Sequence, residues 1–417
     1  MLQKNLWQET SKEKITFSNL KKSITTDLVV IGGGFTGCSA ALFAVKNGLS
    51  VTLIDQKIGY GGSGRNVGLV NAGLWMPPEK VESILGLDAG VKLNKALATA
   101  PDLVFSLIDN YKINCSANRS GTLHCAHSKK GLKDIQLRFK QLSERGAELE
   151  LLNQQQTQQR VGSSKFFGSL FNKKAGIINP LDYCLGLARA AKSNGVNIYE
   201  STLATNIQSI NNDWLVKTPE GSIKAKMLLI ATNAYQKPIE GLNPSKYTSV
   251  QYFQIATKAL PLDLVKSVLP NGEGCWDTAN VMSSFRLDAD NRLIIGGIGN
   301  LGHRASKIHT NWAKRKVESL FPHLKNIDIE FSWHGRIAMT GDHIPKILRL
   351  GNNAYSVFGY SGRGIGPGTY FGKAVSECLI SGDEASLPVH PLDDYQEPFS
   401  SIKSSFIEFG ATANHLL

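Results

Sequence analysis

The sequence predicts an α/β fold in which a doubly wound, parallel sheet is interrupted by a mostly antiparallel β portion that also carries helices. Three observations predict it. Between Thr26 and Asp55 an apolar strand, a glycine-rich turn, a helix and a second strand form a complete βαβ unit. A second glycine-rich turn at 359–368 again connects a strand to a helix. Residues 213–297 between them are rich in strand-like segments, so two kinds of sheet are expected.

The first unit is the most regular part of the pattern. Thr26 to Ile31 is an apolar, β-branched run, typical of a strand buried on both faces of a parallel sheet. Cys38 to Asn47 is an alanine-rich helix that ends at Gly48, and Ser50 to Asp55 is the second strand.

The later elements follow the same two patterns. Helices are predicted at 180–194, 309–320 and 369–380. Strands are predicted at 196–199, 213–219, 221–227, 227–231, 292–297 and 354–358, with a strand-like aromatic stretch over 248–285.

Composition excludes several classes of protein. The chain has 417 residues, 42% of them hydrophobic, which is enough for a large buried core and excludes a mainly disordered chain. The net charge of +12 would suit nucleic acid, an anionic membrane or acidic ligands, but the basic residues are scattered in short groups. We therefore expect an ordinary solvated surface and no nucleic-acid partner.

Cysteine usage and apolar runs bear on location. The six cysteines form no C-x-x-C pair, which favours a reducing compartment over a zinc ribbon or a disulfide framework. His124-Cys125-x-His127 is one short cluster without a further ligand pair, so no metal is expected. The first 26 residues contain no apolar signal region, and no run reaches the roughly 18 apolar residues of a membrane span. A cytoplasmic protein without a membrane span is expected.

The first chemical motif is the turn Gly32-x-Gly34-x-x-Gly37. Gly32 permits the tight turn, Gly34 lets a pyrophosphate approach the backbone, and Gly37 lets the helix pack close to the strand. Asp55 ends the second strand, where a carboxylate accepts hydrogen bonds from ribose hydroxyls. The pattern predicts a dinucleotide site.

Two further glycine-rich segments extend that site. Gly61 to Gly68 follows the second strand and offers N–H groups and the Arg65 guanidinium to a second phosphate or an electron-accepting ring. Gly359 to Gly368 places another positive helix end near an anionic or electron-accepting atom. Two such turns far apart in sequence indicate a long ligand held at both ends, and a dinucleotide with a flavin ring is such a ligand.

These motifs together resemble the FAD-dependent oxidoreductases of the D-amino-acid oxidase superfamily. Within it the chain is most similar to the branch of glycine oxidase and gamma-glutamylputrescine oxidase. The resemblance extends from about residue 6 to residue 379 and is carried by Leu6 to Thr10, Gly32 to Gly37, Gly61 to Gly68, Ala231 to Tyr235, Trp333 to Pro345 and Gly359 to Gly366.

The resemblance implies a fold, a cofactor and the residues that hold it. It implies a Rossmann-like FAD-binding domain (1–90, 150–245 and 335–417) interrupted by a mostly antiparallel β substrate-binding domain with helices (91–149 and 246–334). FAD is expected to be non-covalent, because 62–71 and 335–341 contain neither His nor Cys. The expected cofactor-binding residues are Gly32, Gly34, Phe35, Thr36, Gly37, Asp55, Gln56, Ser63, Gly64, Arg65, Asn66, Ala204, Thr232, Gly362, Arg363, Gly364 and Ile365.

The resemblance also implies amine chemistry. The substrate would be an amine or amino acid that loses its α-hydrogen as hydride to flavin N5, with oxygen or another acceptor reoxidising the flavin. Arg336 is the nearest candidate for a carboxylate anchor, but it lies one position off the register of the relatives, and one step in a strand reverses the face. A carboxylate-free amine or an amide-linked polyamine therefore stays open as substrate.

Aromatic side chains are the other substrate-site candidates. Trp75, Tyr252, Phe253 and Tyr360 are expected in or beside the cavity, with Arg336, Tyr360, Tyr252 and Trp75 as the active-site set. His334 is a weaker candidate, better explained as a structural residue. Two alternatives stay open at this point: an NAD-dependent dehydrogenase using the same first turn, and a non-catalytic flavin-binding protein whose basic charge serves another partner.

Overall fold

The computed structural model describes residues 4–303 and 305–417, so residues 1–3 and 304 of the predicted domain ranges lie outside the described residues. The strands are β1 (Ile24–Ile31), β2 (Val51–Ile54), β3 (Leu69–Val70), β4 (Thr122–Cys125), β5 (Leu149–Leu152), β6 (Ser169–Asn172), β7 (Gly176–Ile177), β8 (Asn197–Tyr199), β9 (Asn206–Ile210), β10 (Asp213–Thr218), β11 (Gly221–Ile230), β12 (Thr248–Ala259), β13 (Gly274–Asp277), β14 (Ser284–Leu287), β15 (Arg292–Ile298), β16 (Ile329–Met339), β17 (Lys346–Gly351) and β18 (Ala354–Phe358). The helices are α1 (Leu6–Glu9), α2 (Phe35–Lys46), α3 (Pro78–Leu85), α4 (Leu87–Ala98), α5 (Ala100–Asn110), α6 (Lys129–Ser143), α7 (Gln154–Val161), α8 (Pro180–Ser193), α9 (Leu262–Val265), α10 (Ser306–Leu320), α11 (Ile365–Ser381) and α12 (Ser400–Leu416). Within these ranges, no helix has both the length and the apolar composition that crossing a bilayer requires.

The first sheet carries the predicted βαβ unit. Its order is β17-β18-β11-β1-β2-β8, and β1 pairs in parallel with both β2 and β11. Leu28 and Val30 face the core that contains α2, α8 and α11, whereas Val29 and Ile31 face the core on the other side. The strand is therefore buried on both faces, as its apolar run predicts.

Strand β11 is longer than the sequence predicts. The segments 221–227 and 227–231, predicted as a hairpin strand and a separate strand, form one continuous strand. Its first half pairs with β10 and its second half with β18 along one edge, while β1 pairs with residues 223–230 along the other edge. Because β1 pairs without interruption, nothing breaks the strand where the sequence pattern changes.

The second sheet is mostly antiparallel, as predicted. Its order is β16-β12-β15-β14-β13-β4-β6-β5, and within the described strands of this sheet only β13 and β4 form a parallel pair. One face packs on a separate apolar core that includes Phe253, Ile255, Phe285 and Phe321. The α/β class with an antiparallel second portion is thereby confirmed.

Two segments of the chain pack with a different sheet from the one that the predicted domain boundaries assign to them. Strands β5 and β6 pair within the second sheet, although 150–245 was predicted with the first. Helices α4 and α5 contribute Leu93, Leu97 and Val104 to the core of the first sheet, although 91–149 was predicted with the second. Both differences come from packing across long sequence separations, which local patterns do not encode. The division into two domains itself stays a prediction.

Candidate functional site

A cavity of about 1010 Å³ lies where the carboxyl ends of β1, β2 and β11 meet one face of the second sheet. The strand ends contribute Ile31, Ile54 and Ala231, and the second sheet contributes Val250 and Trp276. In open α/β sheets, ligands bind outside the carboxyl ends of the strands. The position of this cavity therefore follows from the topology of the first sheet.

The turn between β1 and α2 lines one end of the cavity. Gly32 has a φ of +111°, and a Cβ there would lie 2.8 Å from the carbonyl carbon of Ala231, so glycine is required. Gly34 is the N-cap of α2 and supplies no side-chain cap. Phe35 and Thr36 begin the helix and line the cavity. The helix end thus offers N–H groups and a positive dipole to an anion.

Two of the predicted cofactor-binding glycines do not line the cavity. A Cβ on Gly37 would lie 1.8 Å from the carbonyl oxygen of Gly32, so Gly37 serves the close approach of α2 to β1. A Cβ on Gly64 would lie 2.2 Å from the carbonyl oxygen of Gly59. Both glycines allow the backbone to pack on itself behind the cavity wall.

Asp55 lies at the end of β2 and lines the cavity beside Gln56 and Ala204. Its Oδ2 accepts a hydrogen bond from the Gly33 N–H at 2.6 Å, and its Oδ1 accepts one from the Lys57 N–H at 3.1 Å. Burial raises the pKa of Asp55, and these N–H donors act in the opposite direction. The two N–H groups hold the carboxylate against the first turn, where ribose hydroxyls are expected.

The second glycine-rich segment brings Ser63, Arg65 and Asn66 to the cavity wall. Asn66 holds the loop, because its Nδ2 donates to the Ser63 carbonyl at 2.8 Å and its Oδ1 accepts from the Gly68 N–H at 2.8 Å. Ser63 Oγ accepts the Phe35 N–H at 3.0 Å. The loop is therefore hydrogen-bonded to the N-terminus of α2.

The third glycine-rich turn lines the same cavity. Gly362 has a φ of +92°, and a Cβ there would lie 3.2 Å from Nε1 of Trp75. Gly364 is the N-cap of the 17-residue helix α11 and supplies no side-chain cap. Arg363 and Ile365 also line the cavity. A second uncapped helix N-terminus therefore faces the cavity.

A direct hydrogen bond joins the two strand-to-helix turns. The Tyr360 hydroxyl and Thr36 Oγ1 are 2.6 Å apart, and both side chains are buried. Burial raises the pKa of Tyr360 far above its ordinary value, so the phenol stays protonated. Segments 324 residues apart are thus joined at the cavity wall.

The aromatic candidates separate into two groups. Trp75, Tyr252 and Tyr360 line the cavity, and the Tyr252 hydroxyl is 2.7 Å from Ser284 Oγ. The expectation for Phe253 is wrong. It is fully buried in the second core, because adjacent residues of β12 point to opposite faces of the sheet.

Arg336 lies at the rim of the cavity and is exposed. It pairs across the sheet with Gln251, so it points away from the face that carries Tyr252. Its N–H donates to the Tyr235 hydroxyl at 2.9 Å, and its guanidinium lies 4.7 Å from the centre of that ring. His334 is half-buried and is not among the cavity-lining residues; burial lowers its pKa.

Sequence reasoning missed most residues on the second-sheet face, including two with polar or aromatic side chains of particular interest. Gln254 and Trp276 both line the cavity. The alternation of β12 places Gln254 on the same face as Tyr252, which was a usable signal. Trp276 lies on β13, and only the pairing of that strand in the sheet brings it to the cavity.

The family comparison decides the class of protein. The family model described as FAD dependent oxidoreductase (DAO) matches residues 27–378. This chain belongs to that family. The predicted resemblance is confirmed, and so are the enzyme class and FAD as cofactor, in place of a nicotinamide dinucleotide.

Relatives of this FAD-dependent oxidoreductase include amine and amino-acid enzymes. The chain is 30% identical over 401 residues to gamma-glutamylputrescine oxidoreductase of Escherichia coli K12, covering 94% of each chain. It is 22% identical over 335 residues to glycine oxidase of Geobacillus kaustophilus, covering 77% of this chain and 83% of the relative. The crystal structure of that Geobacillus kaustophilus enzyme has the same fold, with a TM-score of 0.72 at 17% identity over 87% of this chain and 96% of the other.

The cavity fits FAD by its own geometry. Two uncapped helix N-termini, beginning at Gly34 and Gly364, line it, and at Gly32 the backbone of the first turn packs so closely on Ala231 that a Cβ would clash. Thr232, just after β11, also lines the cavity. The cavity then continues past the third turn to the second sheet, which leaves room for a second ligand beside the cofactor.

Proposed function

We propose that this oxidoreductase oxidises the C–N bond of an amine or amino acid. When bound, FAD would supply the electron acceptor, with its N5 as the hydride-accepting atom, and water would hydrolyse the resulting imine to a carbonyl compound and an amine or ammonia. One observation carries the proposal: both glycine-rich turns line a single cavity that continues to a tyrosine- and tryptophan-lined sheet face. The names of the relatives support the substrate class.

We propose that the first turn and Asp55 bind the pyrophosphate and adenosine ribose. In the same proposal, Ser63 and Asn66 keep the adjoining loop in place, and the N–H groups at the start of α11 stabilise negative charge near the pyrimidine end of the flavin. Dissociable FAD is proposed because segments 62–71 and 335–341 contain neither cysteine nor histidine. Release of flavin on denaturation tests this, and flavin that stays with the precipitated chain would contradict it.

The second-sheet face has no strong base within the part of the chain that the structure describes. Its cavity-lining residues include Val250, Tyr252, Gln254, Trp276, Met282, Ser284 and Ile298, together with residues 335–339 of β16. Burial raises the pKa of Tyr252 well above its ordinary value, so this phenol stays neutral and acts as a hydrogen-bonding group. Such a face excludes water and orients a substrate whose own neutral amine drives the loss of hydride.

The remaining predicted active-site residues are proposed to act on substrate position. Trp75 forms an apolar wall beside Gly362. The Tyr360 hydroxyl joins the two turns through its hydrogen bond to Thr36. Arg336 contacts substrate at the cavity mouth. Because Arg336 is exposed, its electrostatic contribution is screened by water.

Anaerobic reduction of the bound flavin tests the proposal. The purified holoenzyme is mixed with D-amino acids, N-methyl amino acids and polyamine derivatives, and bleaching of the flavin band is followed. At least one class is expected to bleach the flavin in a single turnover. A preparation that retains flavin but is reduced by none of them would overturn the proposed reaction, and readmission of air separates an oxidase from a dehydrogenase.

A further inference from the structure

Arg363 is a buried cation that faces the cavity. Its side chain is 8% exposed, and Nη1 donates to the carbonyl oxygen of Ala72 at 3.1 Å. The guanidinium lies 4.9 Å from the ring centre of Trp75 and 4.9 Å from that of Trp276. Across the described residues, no carboxylate forms an ion pair with it. A buried charge is unfavourable unless a partner of opposite charge is supplied, so this site is incomplete without an anion.

A second arginine, Arg138, adds positive charge near Arg363 and so makes an anion at this site more favourable. Arg138 lies behind the wall, where its guanidinium donates to main-chain carbonyls that include those of Leu74 and Met76, both at 3.4 Å. Burial, with Arg138 adding to it, lowers the pKa of Arg363 to about 9. That value is still above neutral pH, so the guanidinium stays charged at the end of the cavity beside the second sheet.

The cavity contains no other acid for this cation. Asp55 is the one acidic residue among the described cavity-lining side chains, and it is hydrogen-bonded to the first turn. A polyamine without a carboxylate would add positive charge beside Arg363 and find no counter-ion there. A substrate that carries its own carboxylate satisfies the guanidinium in a planar, two-bond geometry.

The side chain of Arg363 also extends away from the expected cofactor contacts. The backbone of the third turn faces the cavity at the start of α11, whereas the guanidinium contacts Trp276 on β13 of the second sheet. On β12 of the same sheet, which β15 and β14 separate from β13, the Gln254 side chain lines the cavity, and its buried Oε1 has no hydrogen-bond partner in the described structure. A free acceptor of this kind suits the N–H of an amine.

We propose that Arg363 is the carboxylate-binding residue of the substrate site, with Trp75 and Trp276 as its aromatic walls. The substrate is then an amine that also carries a free carboxylate: an amino acid, an N-substituted amino acid or an amine linked through an amide to the side-chain carboxyl of an amino acid. This inference rests on the proposed function and assigns the anchor to Arg363, inside the cavity, instead of Arg336 at its rim.

Benzoate and benzamide are suitable probes, because they share a shape and differ in charge. The holoenzyme is titrated with each, and the perturbation of the flavin absorption band is followed. Wild type is expected to bind benzoate about tenfold or more tightly than benzamide, the range for a charge-assisted hydrogen bond. Arg363→Met is expected to lose that preference with unchanged flavin content, and Arg363→Lys to keep part of it.

The matched control is Arg119→Met, since Arg119 also lies 4.9 Å from an aromatic ring but is exposed and pairs with Asp102. It should keep the wild-type preference. Equal binding of both probes by wild type, or loss of flavin from Arg363→Met and Arg363→Lys alike, would overturn the inference. The wild-type comparison does not depend on folding of any variant, and it stays informative if the amine panel fails to reduce the flavin.

Discussion

The hydrogen bond between Thr36 and Tyr360 is expected to hold the two strand-to-helix turns of the cavity wall together. In the wild type, Thr36 Oγ1 lies 2.6 Å from the Tyr360 hydroxyl. Tyr360→Phe removes that hydroxyl and leaves Thr36 Oγ1 buried without this hydrogen-bond partner. An unpaired buried hydroxyl costs about 1–3 kcal/mol, so the free energy of unfolding should decrease by that amount. Thr36→Val should have an effect of the same size for the same reason.

The double variant separates this bond from other effects of the two substitutions. With both hydroxyls replaced by apolar groups of similar shape, no unpaired polar atom remains. The double variant should therefore be more stable than the sum of the two single losses predicts, by about 1 kcal/mol or more. Because the bond joins two turns that both line the proposed cofactor cavity, each single variant should also weaken FAD binding by up to about tenfold.

Urea unfolding of the four proteins, followed by circular dichroism with saturating FAD, measures the coupling. Titration of the apoproteins with FAD measures affinity separately. Losses that add within about 0.5 kcal/mol would show that the hydroxyls act independently, and single variants with wild-type stability would refute the reasoning altogether.

Three further predictions concern the cofactor, the rim and pH. Gly34→Glu should abolish FAD retention, since its Cβ would lie 2.9 Å from Ser63 Oγ and its carboxylate would occupy the anion site; unchanged flavin content contradicts this. Arg336→Met should raise KM more than it lowers kcat, and by less than Arg363→Met does, because Arg336 is exposed; equal KM effects contradict this. Burial lowers the pKa of His415 from 6.5 to about 3, so the unfolded chain binds the extra proton and stability should decrease as pH falls below 6.5. Urea unfolding at neutral pH and near pH 5 should show a smaller decrease for His415→Gln, and an equal decrease rules His415 out.

Local pattern predicted the first unit closely and the second sheet less well. The helix predicted at 38–47 is observed at Phe35–Lys46, and the strand at 50–55 is observed at Val51–Ile54. Both are set by the turn and by neighbouring apolar residues. The boundary at residue 150 differs because β5 and β6 add to an edge of the second sheet, and nothing in their own sequence specifies that edge.

The predictions of site residues also succeeded where local sequence sets the structure and failed where tertiary packing sets it. Gly32 and Gly34 are recognisable because a tight turn before a helix imposes glycine at set spacings, whatever surrounds it. Phe253 and Tyr252 are adjacent aromatic residues that the sequence does not distinguish. The orientation of β12 in the sheet places the Phe253 side chain in the second core and the Tyr252 side chain at the cavity. Arg363 was predicted to bind the cofactor because it belongs to the third glycine-rich turn. That motif specifies the backbone of the turn but not the position of the Arg363 guanidinium.

The sequence by itself determined a dinucleotide site, the βαβ unit and the presence of two helix N-termini after glycine-rich turns, because each depends on residues within one or two turns of chain. Tertiary structure alone decided that Thr36 meets Tyr360 and that Arg363 lies between Trp75 and Trp276. Such contacts join segments far apart in the chain. They exist only after both sheets have packed, and the charge balance of the cavity, and hence the proposed preference for a carboxylate, is a property of that packing.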